Sequence, residues 1–238
     1  MNNRPRPDIG WTRPPRGHER DVIGSSPAFL VGFAAEARIA RRSGWPAAIG
    51  GGSTDGAAVA ARRLIAAGAT GLVSFGLAGG LDPGLRAGTL IVPETVVAHG
   101  RVRRTDDALN ALLGGTSGHL CLGLDRIVAS TAEKRRLRLE TGASLVDMES
   151  GAVSEVADAA GVPFAVLRAI CDHADRALPP AALIALDTKG RIAPAQIAWS
   201  VLTDPGQVSA LIALGRDAAA ARRALRSRIS AIGRVAEI

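Results

Sequence analysis

Three short stretches of this chain concentrate side chains that can move protons, accept hydrogen bonds from hydroxyls or bring backbone amides up to a ligand. In Val162-Pro-Phe-Ala-Val-Leu-Arg168-Ala-Ile-Cys-Asp172-His-Ala-Asp175 an apolar run is interrupted by one arginine and closed by carboxylates. An arginine inside a buried strand needs a counter-charge. Either Asp172 or Asp175 supplies it locally, or Arg168 and Asp172 project together into the crevice where open α/β sheets bind ligands. In Val146-Asp-Met148-Glu149-Ser-Gly-Ala152 an acidic pair closes a strand and opens a helix. A carboxylate there either caps the helix or accepts two hydrogen bonds from a sugar diol, and its place at a strand's C-terminal edge favours the diol. The third stretch, Ser74-Phe-Gly-Leu-Ala-Gly-Gly-Leu-Asp-Pro83, reads as a glycine-rich turn after a strand. Its glycines let backbone N–H groups approach a ligand closely, and it also reads as a plain tight turn. It is neither a P-loop nor a dinucleotide fingerprint, since no Gly-Lys-Ser/Thr follows and a Pro-containing turn stands where a helix would begin.

Other chemistries find less support. His173 and Asp175 are two candidate metal ligands without a third, and Cys121 and Cys171 lack zinc-site spacing, so no metal is expected. Neither Ser53 nor Ser117 sits in a nucleophile elbow.

The elements that must position these residues alternate. Apolar strands are expected at Ala28–Phe33, Gly71–Phe75, Thr89–Val92, Val96–His99, Arg126–Ala129, Ser144–Val146 and Phe164–Ile170. Helices are expected at Ala35–Arg42, Gly56–Ala67, Thr131–Glu140 and Glu149–Ala160. Pro194 to Val235 reads as two helices broken around Pro205–Gly206, the second with Leu225, Ile229 and Ile232 on one face and Arg222, Arg223 and Arg226 around it. Such β/α alternation builds a largely parallel sheet. Residues 1–27, with five Arg, five Pro and no hydrophobic periodicity, read as an irregular arm, and 28–238 as a single domain.

At 238 residues with 47% hydrophobic and 21% charged content, the chain can bury one sizeable core and is not intrinsically disordered. The net charge of +7 comes almost wholly from arginine, lysine occurring only at Lys134 and Lys189. The basic residues are scattered and not interleaved with aromatics, which argues against nucleic acid and leaves phosphate or an acidic lipid surface as anionic partners. The chain shows neither a full secretory h-region nor an apolar run of spanning length, so a reduced, cytoplasmic protein is expected.

Taken together, Gly76-x-Ala-Gly-Gly-Leu81, Asp147-Met-Glu149 and Arg168-Ala-Ile-Cys-Asp172 resemble the purine nucleoside phosphorylase and methylthioadenosine/S-adenosylhomocysteine nucleosidase superfamily. The 23 residues from Glu149 to Asp172 match the one helix and one strand between that family's ribose-binding Glu and its catalytic acid. Within it, Ser74–Pro83, Cys171-Asp-His-Ala-Asp-Arg-Ala-Leu-Pro-Pro180 and the Arg/Ala-rich closing helix look most like the hopanoid-associated phosphorylases, which release adenine from adenosylhopane in bacteriohopanepolyol synthesis. The resemblance implies a three-layer α/β/α fold with a central mixed, largely parallel sheet. It implies Asp172 as general acid to the purine N7, Glu149 on the ribose hydroxyls, Met148 against the ribose face, Arg168 orienting the nucleophile or balancing Asp172, and Gly76, Ala78 and Gly79 in a backbone cradle. It also implies a homo-oligomer and no cofactor beyond inorganic phosphate as co-substrate.

The nucleophile is where the chain departs from its relatives. The phosphorylases grip phosphate with an Arg and a Ser or Thr where this chain has Ser74 and Leu77, so phosphorolysis would depend on Arg168, Gly32 and an Arg of a neighbouring subunit. Glu36 stands near the water-activating Glu of the nucleosidases, in a slightly displaced register, and also reads as a surface residue in a first helical turn. No aromatic between Ala129 and Ala143 matches the nucleosidases' base-stacking residue, and Phe75 reads as core. The apolar run Leu178–Leu186, with Leu178 and Leu183, is either a channel for a lipid-like tail or an ordinary buried helix. Arg222, Arg223, Arg226 and Arg228 present either a peripheral membrane contact or a solvated basic face. The alternatives to adenosylhopane cleavage are a methylthioadenosine/S-adenosylhomocysteine nucleosidase and a non-catalytic nucleoside-binding module.

Overall fold

The computed structural model describes residues 26–185 and 200–236. The N-terminal arm expected at 1–27 falls almost wholly outside the described residues, as does the start of the closing segment. The strands are β1 (Ala28–Val31), β2 (Ala47–Ile49), β3 (Leu72–Gly80), β4 (Leu90–Ile91), β5 (Thr95–Ala98), β6 (Arg101–Arg104), β7 (Leu120–Gly123), β8 (Leu145–Asp147) and β9 (Phe164–Asp172). The helices are α1 (Ala34–Ala40), α2 (Thr54–Ala66), α3 (Asp107–Leu112), α4 (Thr131–Thr141), α5 (Ser150–Ala160), α6 (Pro180–Ala185) and α7 (Val208–Ala236).

The strands form one mixed, mostly parallel sheet in the order β2-β1-β3-β8-β7-β5-β6, with β9 alongside β3 and β4 on β9. The pairs β1–β2, β1–β3, β3–β9, β5–β7 and β7–β8 are parallel. β3 is the hinge of this arrangement. It pairs with β1 along Leu72–Phe75 and with β9 from Leu72 as far as Gly79, and its last residues, Gly79 and Gly80, pair antiparallel with Val146 and Leu145 of β8.

Alternation along the central strands decides the layers. Leu30, Leu72 and Val166 face α2 and α5 through Ala57, Ala61, Leu64, Val153 and Ala157. Phe29, Val73, Phe75, Ala165 and Leu167 face the opposite side, where Ala37 and Ala40 of α1 and Ala221, Leu225, Ile229 and Ile232 of α7 cover them. Helices on both faces make the three-layer α/β/α fold expected. The face expected on the closing helix is therefore a core face, and the break before it is a turn at Pro205–Gln207 whose Gly206 N–H is accepted by Asp204.

Two expectations fail. The glycine-rich stretch is strand rather than turn, because its glycines clear space instead of reversing the chain: a Cβ on Gly76 would lie 2.6 Å from Glu36 Oε1 and 2.8 Å from Arg168 Nη1. Arg126–Ala129 is irregular, the strand running earlier at Leu120–Gly123. Only Val128 of that segment is fully drawn inside, onto Leu81, Leu122 and Leu137. The strand Arg101–Arg104 had no apolar signal, being an exposed edge.

Candidate active site

β9 delivers Arg168 to the interior, where it is the largest fully buried side chain among the described residues. Its Nε lies 2.8 Å from Asp147 Oδ2. Nη2 donates to Glu149 Oε2 at 3.0 Å and to Ser74 Oγ at 2.7 Å, and Nη1 to the Leu77 carbonyl at 3.3 Å. The local partner expected from the sequence, Asp172 or Asp175, is not the one it takes. The pairing of β8 with the end of β3 brings Asp147 and Glu149 beside β9, although they lie a helix away in the chain. Ser74, which stands where the phosphorylases grip phosphate, is buried in this network and accepts from Ser150 Oγ at 3.0 Å.

Asp147 and Glu149 divide the work that either could have done. Asp147 Oδ1 accepts from the N–H groups of Glu149 (3.1 Å) and Ser150 (2.8 Å), so it caps α5. Glu149 makes no capping bond with its side chain and is left facing Arg168. Burial pushes Glu149 up to about 7; Arg168 pulls the other way, while Asp147 and Glu36 add to the rise. Burial also opposes the charge on Arg168, but Asp147, Glu149 and Glu36 together hold its proton more tightly than an ordinary arginine's.

Glu36, in the first turn of α1, is buried, which overturns its reading as a surface residue. Its Oε2 accepts from Gly32 N–H and Phe33 N–H, both at 3.0 Å, and its Oε1 from Leu77 N–H at 3.0 Å. The carboxylate therefore ties the end of β1 to the middle of β3. A Cβ on Gly32 would stand 2.8 Å from Glu149 Oε1 and 3.3 Å from Glu36 Oε2, so both carboxylates converge on that glycine. The Leu77 amide, between the cradle residues Gly76 and Ala78, is occupied by Glu36.

Asp172 ends β9, buried, with Gly79 beside it. Its partner is Lys134 of α4, whose Nζ donates to Asp172 Oδ2 at 2.6 Å and to the carbonyls of His173 (2.7 Å) and Arg176 (2.8 Å). Burial raises the Asp172 pKa above the ordinary carboxylate value, and Lys134, Arg176 and His173 work against that rise. His173 Nε2 faces Asp217 of α7 at 3.4 Å, and among the described residues no cluster of three metal-ligating side chains forms.

The remaining expectations sort by position. Met148 is half-buried between the two carboxylates of its motif, and its carbonyl accepts from Thr54 Oγ1 at 3.3 Å. Ala78 and Gly79 lie at the end of β3, where the register with β9 shifts. Leu178 and Leu183 are half-buried, Leu178 N–H donating to the Ala129 carbonyl at 2.9 Å and Leu183 lying on α6. Phe75 is core, edge-on to Phe29 at 5.3 Å between centroids. A cavity of about 750 Å³ lined by Arg101, Arg103, Arg104, Asp158 and Phe164 holds none of these residues. Lys134 was missed: α4 is so charged that a lysine in it reads as solvated, and only its spacing of three from the buried Leu137 marks it as inward-facing.

The sequence model of the phosphorylase superfamily matches residues 42–113 and 119–202. A search of curated proteins returns no match. Among solved structures, the 5'-methylthioadenosine/S-adenosylhomocysteine nucleosidase of Helicobacter pylori, in complex with butyl-thio-DADMe-Immucillin-A, is 20% identical with a TM-score of 0.62, covering 90% of this chain and 99% of its own. The native futalosine hydrolase of Helicobacter pylori is 20% identical with a TM-score of 0.63, covering 90% and 98%. The 5'-methylthioadenosine/S-adenosylhomocysteine nucleosidase of Neisseria meningitidis, in complex with methylthio-immucillin-A, is 18% identical with a TM-score of 0.63, covering 87% and 98%. At these identities the likeness is one of fold.

Proposed function

The chain belongs to the phosphorylase superfamily and is an enzyme of it, and from that premise we propose that it hydrolyses the N-glycosidic bond of a purine nucleoside. In that reaction the C1'–N9 bond breaks with its electrons going to the base, Asp172 gives a proton to N7, and water adds to C1' while losing a proton to Glu36. The ribose gathers positive charge on the way, and Glu149 accepts from its hydroxyls while offering negative charge beside it; such contacts strengthen as charge develops. Met148 is assigned to the apolar ribose face, and Gly76, Ala78 and Gly79 to the backbone beside the sugar.

The observation that carries hydrolysis over phosphorolysis is the charge around Gly32. A phosphate co-substrate wants cations there, yet the groups converging on that glycine are the carboxylates of Glu36 and Glu149. The nearby arginine, Arg168, is already shared between Asp147 and Glu149. A second anion would meet repulsion with no free counter-charge among the described residues of this cluster.

For the substrate we assign adenosylhopane, in hopanoid synthesis, with Leu178 and Leu183 towards the lipid tail. This rests on the likeness of the Ser74–Pro83 and Cys171–Pro180 stretches and on the half-buried leucines that follow the general acid. A homo-oligomer, working in the cytoplasm at the inner membrane face, completes the assignment; among the described residues no helix is long and apolar enough to cross a membrane. The test is adenine release from adenosylhopane in detergent and from methylthioadenosine, and hypoxanthine release from inosine, each with and without phosphate, beside Asp172→Asn. Phosphate-independent release from adenosylhopane alone, lost in the variant, supports the assignment. Preference for methylthioadenosine makes the enzyme a nucleosidase of small soluble substrates, dependence on phosphate removes the hydrolase, and no release from any leaves a nucleoside-binding module.

A further inference from the structure

α4 buries two of its residues, Lys134 and Leu137. Leu137 is on that face for packing, against Leu81, Val128 and Val146. Lys134 is not there for packing, since a methionine would fill the same length without carrying a charge into the interior. Its side chain is 0% exposed, and its three N–H donors go to Asp172 Oδ2, the His173 carbonyl and the Arg176 carbonyl. The other oxygen of Asp172 is placed differently: Oδ1 is buried and receives no hydrogen bond from the described residues.

From this asymmetry we propose that Lys134 is the positioning residue of the general acid: by donating to Oδ2 it fixes Oδ1 as the oxygen that carries the proton, and it stabilises the carboxylate left behind. A proton on Oδ2 would point a hydroxyl hydrogen at an ammonium, so the neutral acid must present Oδ2 as its carbonyl oxygen to Lys134. As the proton on Oδ1 passes to the base, negative charge appears on Asp172, 2.6 Å from a positive charge that was already in place. That is stabilisation made in the transition state and needing no reorganisation. The two backbone acceptors anchor the same ammonium to the turn that follows β9, so the acid and its turn move as one body.

The other charged groups facing Asp172 are His173 and Arg176 from that turn. Both are drawn towards Asp217 of α7, which leaves Lys134 as the cation in direct contact. The proposal rests on the hydrolase reading for what the proton is used for, but the control of Asp172 by Lys134 can be measured without turnover.

The experiment uses the full chain labelled with ¹³C at aspartate side-chain carboxyls, the Asp172 resonance being assigned by its loss in Asp172→Asn. In Lys134→Met the Asp172 titration midpoint should rise by at least about one pH unit, because burial then loses its largest opponent, leaving only Arg176 and His173 against it. In turnover, Lys134→Met should lower kcat with adenosylhopane in detergent, or with whichever adenine nucleoside the native enzyme cleaves, by about 10²-fold while leaving release of 4-nitrophenolate from its riboside nearly unchanged, since that group departs without a proton. Should Lys134→Met not fold, Lys134→Gln keeps a donor to Oδ2 without the charge and is read the same way. An unmoved midpoint, or an equal loss on both substrates, overturns the proposal. Cleavage of neither substrate by the native enzyme counts against the hydrolase reading, and the midpoint alone then decides what Lys134 does.

Discussion

Replacing Glu36 with glutamine tests whether the buried carboxylate at the end of β1 activates water. The exchange keeps shape and removes both the charge and one acceptor. Glu36 now satisfies three backbone donors, two at Oε2 and one at Oε1. A glutamine can keep its oxygen on Gly32 and Phe33, but its amide nitrogen then faces the Leu77 N–H, and one buried donor left without an acceptor costs about 1–3 kcal/mol. Part of that is returned, because Glu36 repels Glu149. A net loss of about 1–2 kcal/mol is expected, or roughly 2–8 °C in Tm for a chain of this length. Loss of a positioned base should be far larger in rate than in stability, about 10²–10⁴-fold in kcat, equal to about 2.7–5.5 kcal/mol of barrier. The assay is single-turnover release of adenine in phosphate-free buffer, with substrate affinity measured separately and folding followed by circular dichroism. A folded Glu36→Gln enzyme within about threefold of the native rate would refute the assignment of the base and, with it, the electrostatic argument for water.

Three further outcomes follow from the same cluster. Arg168→Met leaves Asp147 and Glu149 buried without their cation and should cost about 3–5 kcal/mol in urea unfolding; a loss below about 1 kcal/mol would show that the pair is not held ionised. Gly76→Ala drives a methyl group into Glu36 Oε1 and Arg168 Nη1, at 2.6 and 2.8 Å, so turnover and Tm should fall together, and a variant with native turnover would mean that the two side chains can part. Glu149, whose pKa is raised from 4.5 to about 7, binds its proton more tightly in the native than in the unfolded chain. Its contribution to stability is therefore complete below pH 4.5 and lost as pH climbs through 7, at up to about 1.4 kcal/mol per pH unit, whereas kcat/KM on the ribose should rise over the same interval as the acceptor ionises. Tm and kcat/KM measured between pH 4.5 and 7.5 should move in opposite directions, and Glu149→Gln should remove the rise in kcat/KM and flatten the Tm slope to the part left by Asp172, whose pKa burial also raises.

The chain announced this site unevenly, for reasons that lie in what a linear spacing can carry. Arg168 was legible as a buried arginine in need of a counter-charge, since five apolar residues precede it. Its partners were not, because the sheet order decides them: β8 reaches β9's neighbourhood only through its antiparallel pairing with the last two residues of β3. The division between Asp147 as helix cap and Glu149 as free acceptor was open for a similar cause, two carboxylates two positions apart being equivalent until the φ and ψ of the N-cap are known. Glycines at 76, 79 and 80 looked like a turn because turns are where glycine is commonest. Here one of them makes room for two side chains that come from strand and helix ends far away in sequence. Lys134 was hidden by its company, since six of the eleven residues of α4 are charged.

The arrangement separates two electrostatic tasks that glycosidic cleavage requires at the same moment. Around Gly32 and Gly76, three carboxylates share one arginine, so the cluster is short of positive charge at the place assigned to a sugar that becomes cationic. At the end of β9, the Lys134 ammonium is already in place beside Asp172, so the negative charge that appears as the acid gives up its proton is paired as it forms. β9 carries a member of each group, Arg168 and Asp172, four residues apart on one strand. Moving either pairing into the other would defeat both: an Arg168 spent on Asp172 would leave Asp147 and Glu149 to repel each other, and a Lys134 turned towards Glu149 would cancel the charge offered to the ribose. The fold keeps them apart by bringing β8 and α5 to one side of that strand end and α4 to Asp172, so each of the two buried cations keeps its own carboxylate partners beside the neutral acceptors that complete its hydrogen bonds.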